Sequence, residues 1–359
     1  MDRLDRLARR FERIFTFLVP IVATLAALIV MGVLIWSLEV NPITAYHGLL
    51  VGAFGSKVDI ANSLNRAAPL MLVGLGVAIA FRGGMFNIGG EGQIIMGAIL
   101  ATAVGVYIPG LPAFIHLPLC LMAGFIGGAL WAAIPGYFYA KNGINLIITT
   151  IMMNEIANGI LPAIIKGPML EPPGFFPQTA MVMESAKLPL IWEGTRLHAG
   201  IIVSILSAII MYVLLFRTPF GFEARSVGEN EVAARHNGIN VFSNQMLMML
   251  ISGGLGGLAG TVEILGAQYR LREAFLMNYG YEALAVALLA QRHPLGVIIS
   301  GLLFGALKSG ANSMQITTKL PMALVSVVGG TIVLFVVASN ILMKLPGILA
   351  KREVKRGLE

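Results

Sequence analysis

Seven polar side chains stand out in a chain that is otherwise rich in apolar residues. Asn87, Glu91 and Gln93 lie in "FNIGGEGQ" (86–93), Asn154, Glu155 and Asn158 in "TTIMMNEIANGI" (149–160), and Glu282 in "AFLMNYGYEALAVALLAQ" (274–291). Charged groups near lipid are costly, so they normally face a cavity or a partner helix. Amides and carboxylates in such places can hydrogen-bond a hydroxyl-rich solute, and carboxylates can also carry protons. Gly83, Gly84, Gly89, Gly90 and Gly92 crowd the first motif and weaken a regular helix there. An unwound segment is tolerated at membrane depth only where it lines a watery path or is buried in protein. Asn154 and Asn158 are four apart and share one helix face. That face would point into a path or hydrogen-bond a neighbouring helix; the sequence leaves both open. Glu263 and Gln268 end an apolar run and read as interfacial.

Other chemistries lack their residues. The five His are scattered, without metal-ligand spacing. Cys120 is the single cysteine, so no disulfide framework exists. Met246, Met248 and Met249 read as core filler. No GxxxxGK[ST] phosphate loop occurs, so the chain is not expected to hydrolyse ATP. No catalytic residue, metal or bound cofactor is assigned.

A second polar constellation, "FEARSVGENEVAARHNGIN" (222–240), separates two apolar runs. Within it "NEVAARHNG" reads as a short helix marked at both ends. Asn230 suits the N-cap. Glu231 sits in the first turn, where the helix dipole favours an anion. Arg235 follows four residues later as its pair. Gly238 suits the left-handed stop. Gly228 is read as separating this helix from a preceding "FEARSV" turn. Small Val232, Ala233 and Ala234 would let another surface approach. The segment therefore reads as a rigid surface helix, either docked to a partner or a plain loop.

The elements that must position these residues are membrane helices. The chain has 359 residues, 57% hydrophobic and 12% charged; a soluble domain carries about twice that charge. Apolar runs recur at roughly 15–38, 66–81, 88–107, 118–140, 144–165, 199–216, 241–262, 274–291, 296–311 and 321–343. The fold class is an all-α polytopic membrane protein of about ten transmembrane helices, eight also being compatible. The eighth run is the weakest and reads as a half-helix. The glycines of "GGLGGLAG" (253–260) form two overlapping GxxxG spacings and predict close helix packing.

With both termini inside, well over half of the 25 Lys and Arg fall on inner segments. The first run is too long for a cleaved signal. The expected layout is a basic cytoplasmic tail (1–14), a transmembrane domain (15–343) and a second basic tail (344–359). An external loop at 166–198 and a cytoplasmic segment at 217–240 lie within the domain. The loop would meet an external partner or act as a passive lid. The net charge of +7 serves topology, not nucleic acid, since no basic patch is interleaved with exposed aromatics.

"RSVGENEVAARHNGINV" (225–241) resembles the coupling segment of bacterial ABC importer permeases, in the branch serving simple sugars and nucleosides. "FRGGMFNIGGEGQIIMGA" (81–98), "GGLGGLAGTVEILGAQ" (253–268) and "YGYEALAVALLAQRHPLG" (279–296) agree in the family's order. The resemblance covers about residues 60–340. "FNIGGEGQ" and the long loop lean toward the nucleoside subgroup. Where nucleoside relatives often show Gly-Arg before "NPLG", this chain has Gln291, Arg292 and His293.

The resemblance implies a permease subunit of the bacterial cytoplasmic (inner) membrane. Its partners would be a separate ABC ATPase carrying ATP and Mg, a second permease (identical or different), and an external substrate-binding protein. Arg225, Gly228, Glu229, Asn230, Ala233, Ala234, Arg235 and Gly238 would shape the ATPase contact. A nucleoside is the expected solute, a simple sugar the second. The alternatives are an ion-coupled secondary transporter, with Glu91, Glu155 and Glu282 as proton carriers, and a membrane anchor without transport.

Overall fold

The computed structural model describes residues 28–273, 275 and 278–320, with a few isolated positions beyond them. The basic tails, half of the first expected span and most of 321–343 lie outside the described residues. Among the described residues the chain is helical and has no strand; two isolated β-bridges occur.

Among the described residues, seven helices are long and apolar enough to cross a membrane, eight if one bent pair counts as a span. That is fewer than ten. The run at 274–291 forms only an 11-residue helix, about 16 Å long, half the hydrocarbon thickness.

Two structural units are present. The smaller joins the chain up to Gly55 with the chain from Leu307 onward. It holds α1 (Leu28–Ser37) and α2 (Pro42–Phe54), which meet at 119°. Helix α2 was not anticipated, though its signals are local: Asn41 Oδ1 accepts the Ile43 amide and Pro42 occupies the first turn. Met31, Ile35, Ala45, Met314 and Leu320 form its core.

The larger unit, Ser56–Ala306, positions the polar motifs. Its helices are α3 (Lys57–Arg82), α4 (Gly90–Tyr107), α5 (Ala113–Asn142), α6 (Leu146–Lys166), α7 (Gly200–Arg217), α8 (Pro219–Glu229), α9 (Glu231–His236), α10 (Val241–Glu263), α11 (Tyr279–Leu289) and the start of α12 (Pro294–Thr318). From Ala67 to Phe81 α3 is apolar all round and buried. The two GxxxG spacings of α10 serve different neighbours. A Cβ on Gly253 or Gly257 would strike the α5 backbone at Gly128 or Gly124. A Cβ on Gly256 would meet Gln93, and one on Gly260 would meet Ile94, both on α4. Glycine thus lets three backbones meet where no side chain fits.

The segment 166–198 is pinned down. Thr179 and Val182 amides donate to the Leu271 and Tyr269 carbonyls, and Arg270 pairs with Glu171 at 3.0 Å. Val182, Ala186, Leu188 and Leu197 are buried, whereas Phe175 and Phe176 are exposed.

Candidate functional site

The chain breaks between α3 and α4. Gly83 caps α3, Gly84 takes φ +77, and 85–88 run without helix. Every strong polar group of this break meets a partner. Asn87 Oδ1 accepts the Gly89 amide (2.8 Å) and the Gln93 Nε2 (3.1 Å), and its Nδ2 donates to Ser252 Oγ (2.8 Å). Asn154 on α6 clasps both sides: its Oδ1 accepts the Gly92 amide and its Nδ2 donates to the Ile88 carbonyl, each at 2.9 Å. The Thr150 hydroxyl accepts the Ile88 amide. Unwound backbone is stable away from water only when satisfied in this way. Asn87, Gln93 and Asn154 are buried, and their polar atoms are spent on the break.

Glu91 joins two helix starts. It stands in the first turn of α4. Its Oε1 accepts the Asn278 amide (2.9 Å) and its Oε2 accepts the Gly280 amide (2.8 Å) at the start of α11. Two helix N-termini therefore stabilise one carboxylate. Gly280 must be glycine for this approach, because a Cβ there would strike the Glu91 backbone.

Glu91 also borders a cavity of about 370 Å³, lined by Glu155, Asn158, Leu161, Pro162, Glu273, Asn278 and Tyr281 as well. Small-molecule sites span roughly 300–1,000 Å³. Glu155, Asn158 and Tyr281 are exposed to it, and Lys166 pairs with Glu273 at 2.8 Å. Carboxylates, amides and a phenol can together hydrogen-bond several hydroxyls of a neutral solute. Glu282 is half-buried and does not line the cavity; it lies with Glu263 and Arg66 in the field around Tyr279. Sequence reasoning missed Tyr281, Asn278 and Glu273. The Tyr of "NYGYE", beside a glycine that starts a short helix, was the available signal.

The 218–240 segment is two helices in sequence. Thr218 caps α8 by accepting the Gly221 amide, with Pro219 in the first turn. "FEARSV" is therefore helical, which corrects the reading of a turn. Gly228 lies inside α8, and the break falls at Asn230. Asn230 Oδ1 accepts the Ala233 amide (3.0 Å), Arg235 pairs with Glu231 at 2.9 Å, and Gly238 takes φ +82. Glu229, Asn230, Ala233, Arg235 and Gly238 are exposed. Ala234 is buried with Val227 and Val241, facing its own protein. Arg225 and Gly228 are half-buried. Gly228 rests on the turn that ends α3, where a Cβ would strike the Arg82 carbonyl and come within 2.9 Å of the Gly84 nitrogen. Phe222, passed over in the sequence, is exposed, as is Val232.

Buried hydrogen-bonded breaks, half-helices and a polar cavity among apolar helices define a polytopic membrane transport protein. The profile of the family described as the branched-chain amino acid transport system permease component matches residues 59–337, and the chain belongs to that family of ABC transporter permeases. It is 37% identical to the guanosine ABC transporter permease protein NupP of Bacillus subtilis, over 95% of this chain and 99% of that one. It is 36% identical to a glucose ABC transporter permease protein of Haloferax volcanii, over 89% and 87%. The nucleoside ABC transporter permease protein NupB of Lactococcus lactis is 30% identical over 90% and 92%. In each of these organisms a second permease of the same kind also matches, at 27–29% identity.

Proposed function

We propose that this chain is one of two permease subunits in an ATP-driven importer of nucleosides, with simple sugars as the second substrate class. A separate ATPase supplies ATP and Mg chemistry, and an external binding protein delivers the solute. The observation that carries this reading is the backbone contact between Gly228 and Gly84. It links the exposed α8–α9 surface to the break that holds Glu91 at the cavity edge. Movement imposed on α8 reaches the turn before α4 without an intervening side chain.

In this reading the chain lies in the bacterial cytoplasmic membrane with both termini inside. Residues 217–240 then face the ATPase, with Arg225, Gly228, Glu229, Asn230, Ala233, Arg235 and Gly238 shaping the contact and Phe222 and Val232 adding apolar area. Residues 166–198 face outward, and exposed Phe175 and Phe176 suit a binding protein. Glu155, Asn158 and Tyr281 contact the solute, and Glu91 frames it. The second permease is a different chain: two permeases match in each of the three organisms compared, and this chain is more similar to one member of each pair than to the other.

Purification from native membranes in mild detergent, with mass spectrometry of associated proteins, tests the assembly. A P-loop ATPase and a second permease are expected. A rival reading, ion-coupled transport, draws on Glu91, Glu155 and Glu273 lining one cavity. It requires uptake that an ionophore abolishes and that proceeds without any ATPase.

A further inference from the structure

Two arginines and a histidine crowd around one aromatic ring where α7 gives way to α8, with a third arginine beside them. The guanidinium groups of Arg82 and Arg225 lie 5.6 and 5.1 Å from the centre of the Phe216 ring. His293 stacks on the same ring at 5.2 Å. Arg82 Nε donates to the Arg292 carbonyl at 3.0 Å, and the Arg292 charge bears on Arg82 together with that of Arg225. Glu229 is the carboxylate that opposes them there. The balance is strongly positive, and Arg225 Nη1 is buried without a hydrogen-bond acceptor among the described residues. Stacking on Phe216 offsets part of this repulsion, but a desolvated guanidinium N–H calls for an anion.

The surroundings indicate which anion. Helix α7 turns Ile209, Ile210 and Val213 outward. Tyr212 and Phe216, four residues apart, meet at a tilt with ring centres 5.3 Å apart, and Tyr212 also meets His293 at 5.7 Å. An apolar outward stripe ending in aromatics and then cations is the pattern of a membrane boundary. Planar guanidinium forks match phosphate oxygens. We propose that Arg82, Arg225 and Arg292 bind the phosphate of an anionic phospholipid headgroup. Because Arg82 and Arg225 flank the Gly84–Gly228 contact, the bound headgroup would bridge α3 and α8.

The test is native mass spectrometry of the full chain, purified in its complex and equilibrated with phosphatidylglycerol and phosphatidylcholine. Preferential retention of phosphatidylglycerol is expected. Arg292→Gln, at an exposed side chain whose carbonyl contact is kept, should weaken it about fivefold, and adding Arg82→Gln should weaken it further by a similar factor. Lys141→Gln, at the end of α5, should leave it unchanged. Equal retention of the two lipids by the unaltered protein would overturn the proposal, and that comparison needs no variant. Inorganic phosphate that displaces phosphatidylglycerol completely would show that the site reads a free anion, against the lipid assignment. Loss of an associated protein in Arg292→Gln, with lipid retention intact, would give the arginines to a protein carboxylate and also overturn it.

Discussion

Gly228 of α8 and Gly84 of the turn ending α3 touch backbone to backbone. A Cβ on Gly84 would meet the Gly228 Cα at 3.1 Å, and Gly84 holds φ +77. No other residue gives this approach without moving one helix against the other.

Gly228→Ala should therefore separate α8 from the turn. Overpacking of this kind costs about 1–3 kcal/mol. ATP hydrolysis by the assembled complex should persist while solute uptake falls severalfold. Gly110→Ala, in the turn between α4 and α5, is the comparison: its φ is +83, but nothing lies within 4 Å. It should cost about 1–2 kcal/mol for the left-handed backbone and leave the ratio of uptake to hydrolysis unchanged. Equal ratios in the two variants would remove the contact from the coupling account.

Glu91 and Glu155 should separate by what they disturb. Glu91→Ala leaves the buried Gly280 amide and the part-buried Asn278 amide without acceptors, each lost charge-assisted bond being worth about 1.5–3 kcal/mol. Thermal stability should drop by several degrees along with transport. Glu155→Gln, exposed in the cavity, should leave the melting temperature unchanged and alter the apparent affinity for solute. A stable Glu91→Ala protein would show that α11 does not depend on this cap.

His198, in the segment before α7, predicts an acid sensitivity. Its ring is buried, Nδ1 accepts the Gly200 amide at 3.2 Å, and Nε2 has no partner among the described residues. Burial pushes the imidazole down to about 4 from 6.5. The unfolded chain then binds the proton more readily than the folded one. Stability is full above pH 6.5 and falls as pH drops toward 4, by up to about 3 kcal/mol. Melting temperature followed across that window should show the loss, and His198→Gln should flatten it. An unchanged slope in the variant would place the acid sensitivity elsewhere.

Phe175 and Phe176 lie exposed beyond a segment that is otherwise tied to 269–272. Replacing both with Ala should raise the concentration of binding protein needed for half-maximal uptake, with no change in stability. Uptake that is indifferent to both rings would move the external contact to another part of 166–198.

The long helices were legible because apolar runs of that length have few other uses. Helix α9 was legible to the residue, since Asn230, Glu231, Arg235 and Gly238 are all local signals. α8 was missed because Thr218 and Pro219 announce it only weakly beside Gly221 and Gly228. The roles of Asn87, Gln93 and Asn154 could not be read from spacing. An amide in an apolar run suits a path or a clasp equally well. Only the positions of Ser252, Ile88 and Gly92 decide for the clasp. Tyr281, Asn278 and Glu273 reach the cavity from a short, polar-flanked stretch that periodicity does not resolve.

Site-specific cross-linking from α9 tests the central claim most directly. Cys120 is the single cysteine and is buried, so an added thiol is the accessible one. Val232→Cys, 67% exposed, should cross-link to an ATP-hydrolysing subunit within the purified complex, and the yield should change on adding ATP. Glu193→Cys, exposed in the 166–198 segment, should not reach that subunit. An active complex in which Val232→Cys never cross-links to the ATPase would contradict the claim that α8 and α9 receive its motion.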